Sequence, residues 1–381
     1  MNNEEKKAYN IFEIASNFCI EGNIETIVPH GSGHINDTFY LKNTNVALPG
    51  YLLQRINHHV FENVPALMAN VQLVTGHLKK KLALVAGSNP DKEVLTIVLA
   101  KDGQCFFCDA EGNYWRMYCF LKDTKSYDLV LTEQQAYEGG KAFGKFQLLL
   151  ADLDAGLIYE TIKGFHDITV RLDSLNKIVL ADPENRVKDV LPELTFVMER
   201  SQEMVTIINL GKEGKLPLRI IHNDTKFNNI LLDANDHGQC VIDLDTVMPG
   251  YVAYDFGDAI RTIINTASED EEDLTKIDLS IPLFTAYAQG YFESAGGFLT
   301  DTEVKSLSMG VLLIPYMQGV RFLTDYIAGD VYYKTHFAGH NLQRTRAQFQ
   351  LLRKLEEKYD LLDQVIQNVA ETSRQLASET K

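Results

Sequence analysis

A chain of 381 residues exceeds what one hydrophobic core ordinarily supports, so two lobes are expected. Hydrophobic residues make up 45% of it, with only 10 prolines and 25 glycines, which describes a chain folded throughout. A formal net charge of −16 argues against nucleic acid or an anionic membrane surface as the main partner. No apolar run approaches the ~20 residues of a membrane span, and Met1–Asn10 has no apolar stretch of signal length, so a cytoplasmic protein is expected. Five cysteines, an odd number, suit a reducing compartment better than a disulfide framework. The pair Cys105 and Cys108 has no second pair at zinc spacing and is assigned no metal or redox role.

The first 120 residues are strand-rich. Segments at 24–28, 35–41, 51–56, 94–98, 104–108 and 114–120 concentrate β-branched and aromatic residues, and Asp102-Gly103 and Glu111-Gly112-Asn113 separate several of them as turns. One helix, roughly 61–82, interrupts them after the third strand. From Thr132 the period changes: Ala136, Phe143, Phe146, Leu149 and Leu153 give one apolar helical face. Pro192 suits the first turn of a helix running to about Leu210, with Gly211 as its stop. Ser268 is placed to cap a helix whose first turn holds the acidic run to Asp273. Helices are expected at 281–294, 301–327 and 340–372, with Pro315 kinking or breaking the second. The boundary between lobes falls near Lys122–Leu131, giving an N-lobe over 1–125 and a helical C-lobe over 126–381.

Within the second half, residues 219–245 alone read as strand-like. There His222-Asn223-Asp224 is followed by Asn229 at the mouth of the apolar run Ile230-Leu231-Leu232, and Asp243 arrives at the end of Val241-Ile242. An aspartate, four residues and an asparagine, then a second aspartate after a short strand, is the spacing of a kinase catalytic loop. Such a set suits a divalent cation and a triphosphate. Any one piece alone would be a turn or a cap; spacing, order and strand context agree only for the combination. Upstream, Gly31-Ser32-Gly33 lies between the first two strands, where small residues would let backbone N–H groups approach phosphates.

With these motifs, the stretches GHINDTFY, YLLQRIN, FGDAIR and RFLTDYIAGDVYY resemble the aminoglycoside phosphotransferase/choline kinase superfamily, and more closely the bacterial N-acetylhexosamine 1-kinases. The resemblance runs the length of the chain. It implies an α+β, two-lobed protein-kinase-like fold, with an antiparallel-sheet nucleotide-binding N-lobe carrying one inserted helix and a mainly helical C-lobe. It implies ATP as co-substrate, Mg2+ as cofactor and an amino sugar as acceptor, phosphorylated at its anomeric hydroxyl. By matched position, Asp224 is the catalytic base, Asn229 and Asp243 hold magnesium, and His34, Arg321 and Tyr332, together with Asp224, meet the sugar. Gly31, Ser32, Gly33 and Arg55 are assigned to the nucleotide. Asp255 and Asp258 follow the metal segment, and at least one is expected to brace it.

Two departures qualify the resemblance. The lysine that protein kinases carry on the third strand is replaced by Gln54 or Arg55, which strand alternation puts on opposite faces. Thr262 stands where the family's sugar pocket can carry an aromatic, and this bears on which sugar fits. The alternatives are a kinase of the same fold for another small alcohol (a different sugar, an aminoglycoside or a choline-like amine) and a non-catalytic nucleotide or sugar sensor. The sequence leaves the preferred epimer and the oligomeric state open.

Overall fold

The computed structural model describes residues 9–31 and 35–379. The chain divides into two compact units, one holding residues up to Thr124 with Tyr159–Ile162, the other Lys125–Ile158 with Lys163–Lys381.

The first unit is built on a six-stranded antiparallel sheet. A short helix α1 (Ile11–Ala15), capped by the Asn10 side chain, precedes β1 (Ile24–Pro29), β2 (Asp37–Asn43) and β3 (Tyr51–Ile56). Asn63 caps α2 (Val64–Leu82), which has a proline in its first turn and Lys79, Lys80 and Lys81 in its last, where cations complement the helix dipole. A single turn, α3 (Pro90–Glu93), leads to β4 (Ile97–Val98), β5 (Phe107–Cys108) and β6 (Tyr114–Cys119). The sheet order is β1-β2-β3-β6-β4, with β5 also on β6. Alternation then sorts the side chains. Tyr51, Leu53, Trp115 and Met117 form one face, packed on Ile14 and Phe18. The returning segment is tied to α2 by a reciprocal pair, Asn70 Nδ2 to Tyr159 O at 2.8 Å and Tyr159 N to Asn70 Oδ1 at 2.9 Å.

Two expected strands are shorter than their composition suggests. The 94–98 and 104–108 segments pair only at Ile97–Val98 and Phe107–Cys108, because a tight turn takes the backbone between them: Ala100 N reaches Gln104 O and Gly103 N reaches Ala100 O.

In the second unit, Thr132 caps α4 (Glu133–Leu150), and α5 (Ile168–Ala181), α6 (Leu191–Met204) and α7 (Thr206–Lys212) follow. Four short strands then make two ladders: β7 (Arg219–Ile221) pairs with β10 (Met248–Gly250), and β8 (Ile230–Leu232) with β9 (Gly238–Val241). The remainder is helical: α8 (Val252–Ile263), α9 (Ile281–Ala295), α10 (Asp301–Ala328), α11 (His340–Glu357) and α12 (Tyr359–Glu379). Helices α8 and α10 cross backbone to backbone. A Cβ on Gly257 would overlap the Gly310 carbonyl, and one on Gly310 would overlap that of Ala253.

Four helix boundaries differ from the sequence pattern. The helix begun at Pro192 breaks at Val205, and Gly211 lies inside α7 rather than stopping it; glycine is there because a Cβ would run into the Tyr251 ring. Pro315 does not interrupt α10, whose 28 residues stay continuous; the segment around it is buried, and packing holds the helix across the missing N–H. The 340–372 helix is two helices meeting at Lys358. Ser268 caps no helix, since the acidic run from Ser268 to Asp273 is a loop.

Candidate active site

The β7 strand ends at Ile221 and delivers His222, Asn223 and Asp224. The backbone turns sharply there, with Asn223 in the left-handed region at φ 64°. Asparagine tolerates this conformation better than most residues, and the turn is held by its neighbours. Asp255, buried on α8, accepts from His222 N at 2.8 Å with one oxygen and from Asn223 N at 2.7 Å with the other. Asp258, one turn on, accepts from Thr225 N at 2.9 Å. The Asn223 amide donates to Thr246 O at 3.0 Å, and His222 Nε2 donates to Ile242 O at 2.8 Å. Asp255 and Asp258 thus both brace the loop. Burial pushes the Asp255 carboxyl above the usual range, and the amides and Gln147 that donate to it work the other way.

Asp224 lies between two donors. Asn229 Nδ2 donates to its Oδ2 at 3.1 Å, and Lys226 Nζ lies 3.1 Å from its Oδ1. Burial opposes the charge, but the Lys226 ammonium and the Asn229 amide outweigh it and hold the carboxyl below the usual carboxylate range. The same pairing pushes Lys226 well above an ordinary lysine. Asp224 is therefore a carboxylate at neutral pH, a quarter exposed, with an acceptor oxygen for an incoming hydroxyl proton.

Asn229 and Asp243 are brought to one end of the β8–β9 ladder, where Ile230 faces Val241 and Ile242 N donates to Asn229 O at 2.9 Å. Asn229 Nδ2 donates to Asp224 O at 2.8 Å and to Asp224 Oδ2 at 3.1 Å. An amide oxygen and a carboxylate are hard donors of the kind magnesium takes. No group of three or more His, Cys, Asp or Glu among the described residues could hold a metal by itself. These two residues therefore fit a magnesium ion that takes its remaining oxygens from phosphates and water, the usual arrangement for this cation.

A charge network backs the loop. Arg261, buried, donates to Asp258 Oδ1 through Nε at 3.2 Å and Nη2 at 3.0 Å, and through Nη1 to Glu269 Oε1 at 2.6 Å. Glu269 belongs to the acidic run that the sequence pattern placed in a helix. Its neighbour Asp270 meets the buried His340 at 3.1 Å. The run is a strap held by the Arg261 guanidinium, the His340 imidazole and the Gln343 amide, which donates to Asp270 O. Thr262, next to Arg261, is half-buried and donates to Ala259 O at 3.1 Å.

Of the residues expected to meet the sugar, Arg321 lies on α10 and Tyr332 in the loop after it, each in contact with Tyr333. The Arg321 guanidinium lies 5.3 Å over the Phe165 ring and 5.7 Å over Tyr333, and it donates to Gln318 Oε1 at 3.2 Å. Tyr332 is exposed and sits edge-on to Tyr333 with centroids 4.8 Å apart. The buried Asp325 accepts from Val331 N, Tyr332 N and Tyr333 N at 2.8–2.9 Å and from Asn341 Nδ2 at 2.9 Å. His34, Ser32 and Gly33 lie outside the described residues. Gly31 is in the left-handed region at φ 78° with open space where a side chain would be.

In the first unit the structure distinguishes Gln54 from Arg55. Arg55 donates twice to Asp37 Oδ2, at 2.8 and 2.6 Å, and lies over the Tyr9 ring. Gln54 shares the α2 side with Arg116, whose Nε donates to Gln54 Oε1 at 2.9 Å and whose Nη1 lies 4.0 Å from Met68 Sδ. Arg116 is buried, and sequence reasoning passed over it as one residue of a strand. Lys226 was passed over too, although it stands two residues after Asp224 in the same motif. Asp325 gave no signal, since its hydrogen bonds reach forward to backbone amides six to eight residues on. Cys105 and Cys108 are both free thiols that burial pushes up.

No helix among the described residues is long and apolar enough to cross a membrane. Residues 26–296 match the model of the phosphotransferase enzyme family, APH. Among solved structures the chain is similar to an aminoglycoside phosphotransferase of Alicyclobacillus acidocaldarius, at 11% identity and TM-score 0.61, covering 93% of this chain and 96% of that one. It is similar also to a microcompartment-associated aminopropanol kinase, at 15% identity and TM-score 0.63, covering 93% and 98%. A choline kinase from Cryptosporidium parvum matches at 16% identity and TM-score 0.55, covering 93% and 96%. At such identities the structures speak for the fold, an antiparallel N-terminal sheet followed by a helical part, while the family model spans most of the chain. The protein belongs to the phosphotransferase enzyme family.

Proposed function

We propose that the protein is an ATP- and Mg2+-dependent kinase that phosphorylates the anomeric hydroxyl of N-acetylglucosamine or N-acetylgalactosamine, in the cytoplasm, with Asp224 as catalytic base. The observation that carries the phosphotransfer is the ionised Asp224 clamped between Lys226 and Asn229. The acceptor hydroxyl oxygen attacks the γ-phosphorus, the bond to the ADP oxygen breaks, and the hydroxyl proton passes to Asp224. An anomeric hydroxyl is more acidic than an ordinary alcohol, so one carboxylate suffices to take its proton late in a loose transition state. Asn229 and Asp243 would hold magnesium, which supplies charge neutralisation on the phosphates. Gly31, Ser32, Gly33 and Arg55 remain the residues proposed for the nucleotide.

The choice of acceptor rests on charge. The Arg171 guanidinium donates to the Gly164 and Phe165 carbonyls, and after burial Arg321 is the largest influence lowering it. Two guanidiniums disfavour a quaternary amine or a polycationic aminoglycoside, and they suit hydroxyl and carbonyl oxygens, which accept from planar donor forks. His34, Arg321 and Tyr332 are the residues proposed for the sugar. Coupled ADP release with ATP, magnesium and a panel of N-acetylglucosamine, N-acetylgalactosamine, glucose, galactose, choline and an aminoglycoside tests the reading. Turnover on the first two with a product labile to mild acid is expected. Turnover confined to choline or the aminoglycoside would overturn the sugar assignment.

A further inference from the structure

His166 lies in the loop before α5, outside every motif of the sequence, and it touches the residue next to the base. Its Nε2 is 3.0 Å from the carbonyl oxygen of Asn223. A carbonyl only accepts, so the proton is on Nε2, and in the neutral ring Nδ1 is left as a bare lone pair. That Nδ1 is closed off from solvent and has no partner among the described residues. The hydroxyl of Tyr254 is in the same condition, buried and unpaired, and its ring packs on the imidazole with centroids 5.5 Å apart. Buried polar atoms without partners are uncommon, and these two belong to contacting rings.

The two atoms are complementary. The imidazole nitrogen can only accept, and the phenol, held protonated by burial, can donate. A group that donates one hydrogen bond and accepts another answers both, which is the pattern of an alcohol O–H. The surroundings point the same way: Phe165 meets the imidazole edge-on with centroids 4.6 Å apart, and Arg321 lies over Phe165. Asp258, Arg321 and Arg171 are the charged groups that act on the ring.

We propose that His166 and Tyr254 form a hydroxyl-recognition subsite of the acceptor pocket, in which His166 Nδ1 accepts from an acceptor hydroxyl other than the one phosphorylated and Tyr254 donates to the same oxygen. Through Nε2 the same imidazole positions the Asn223–Asp224 peptide. One side chain then couples acceptor occupancy to the setting of the base. The proposal rests on reading this unit as an alcohol kinase; it does not depend on the alcohol being an amino sugar.

Two amide variants separate the two halves of the imidazole. In H166Q the amide reaches the Nε2 position and can still donate to Asn223 O, while the Nδ1 lone pair is lost. In H166N the amide reaches only the Nδ1 position. The KM for the acceptor should rise ten-fold or more in H166Q with the KM for ATP moving less than two-fold, and by a smaller factor in Y254F. H166N should lose mainly kcat. An unchanged acceptor KM in H166Q means that the two atoms hold an internal water only, and overturns the subsite. The comparison uses whichever panel alcohol the wild type turns over, so failure of the sugar reading and failure of the subsite are separate results. Independent of turnover and of variant folding, the 15N resonance of His166 Nδ1 in the wild type with ADP and magnesium should move when the acceptor is added. No movement with any alcohol of the panel overturns the proposal.

Discussion

Asp255 and Asp325 solve one problem in two settings. Each is a buried carboxylate on a helix that fixes a loop by accepting from its backbone amides: Asp255 from His222 and Asn223, Asp325 from Val331, Tyr332 and Tyr333. The loop that carries the base has a second brace, Asp258, which is itself locked by Arg261 and Glu269. The loop after α10 is held further by Asn341, which donates to Asp325 and to Asp330, and by Arg186, which donates to Asp330 at 2.6 Å. Both loops are thus held at more than one point, the one that carries Asp224 by carboxylates buried in the helical unit, the other in part by an ion pair with some access to solvent.

The comparison can be broken or sharpened at several points. Asp224→Ala should cost about 10²–10⁴ in kcat while ATP binding survives, as measured by steady-state kinetics and nucleotide titration; more than a tenth of wild-type activity would remove Asp224 from the role of base. Asp255→Ala leaves buried N–H groups of His222 and Asn223 without acceptors and should destabilise the fold by about 3–5 kcal/mol in urea unfolding. Asp325→Ala strands three backbone amides against two, but beside a loop with exposed side chains. It should cost less, about 2–3 kcal/mol, and raise the acceptor KM more than it lowers kcat. An effect of Asp325→Ala confined to kcat would show that the loop after α10 does not serve the acceptor. Asn229→Ala and Asp243→Ala should raise the magnesium concentration needed for half-maximal rate, and indifference of both to added metal would undo their ligand roles.

The smallest expected effect is on pH. Burial is the main cause that lowers His166 to about 4, with Asp258 opposing and Arg321 and Arg171 adding to it. Between that value and about 6.5 the unfolded chain binds a proton at this residue that the folded chain refuses, so stability falls as the pH drops through the window. Thermal unfolding across this range should decline more steeply for the wild type than for H166Q, and parallel curves would contradict a neutral imidazole.

The legible parts of the molecule are those whose partners are near in sequence or fixed by spacing. The strand pattern of the first unit, α2 and the run from His222 to Asp243 depend on alternation and on a short loop, and they could be read directly. The acidic run at Ser268–Asp273 was misread because its partners, Arg261 and His340, come from elements that a local window does not connect. Pro315 was misread for a similar reason: tertiary burial, invisible in the helix's own sequence, outweighs the lost hydrogen bond. The contacts of His166 and Asp325 leave no trace, since one reaches a backbone carbonyl and the other main-chain amides. Nothing in a residue's type announces such contacts.

The crossing of α8 and α10 at Gly257 and Gly310 has a further consequence. The helix that carries Asp255 and Asp258 meets, main chain against main chain, the helix that carries Arg321 and Asp325. Contact at that range permits neither sliding nor widening, so the two sets of anchors keep one spacing whatever the acceptor. An added methyl group at either glycine would then disturb both sets of anchors at once.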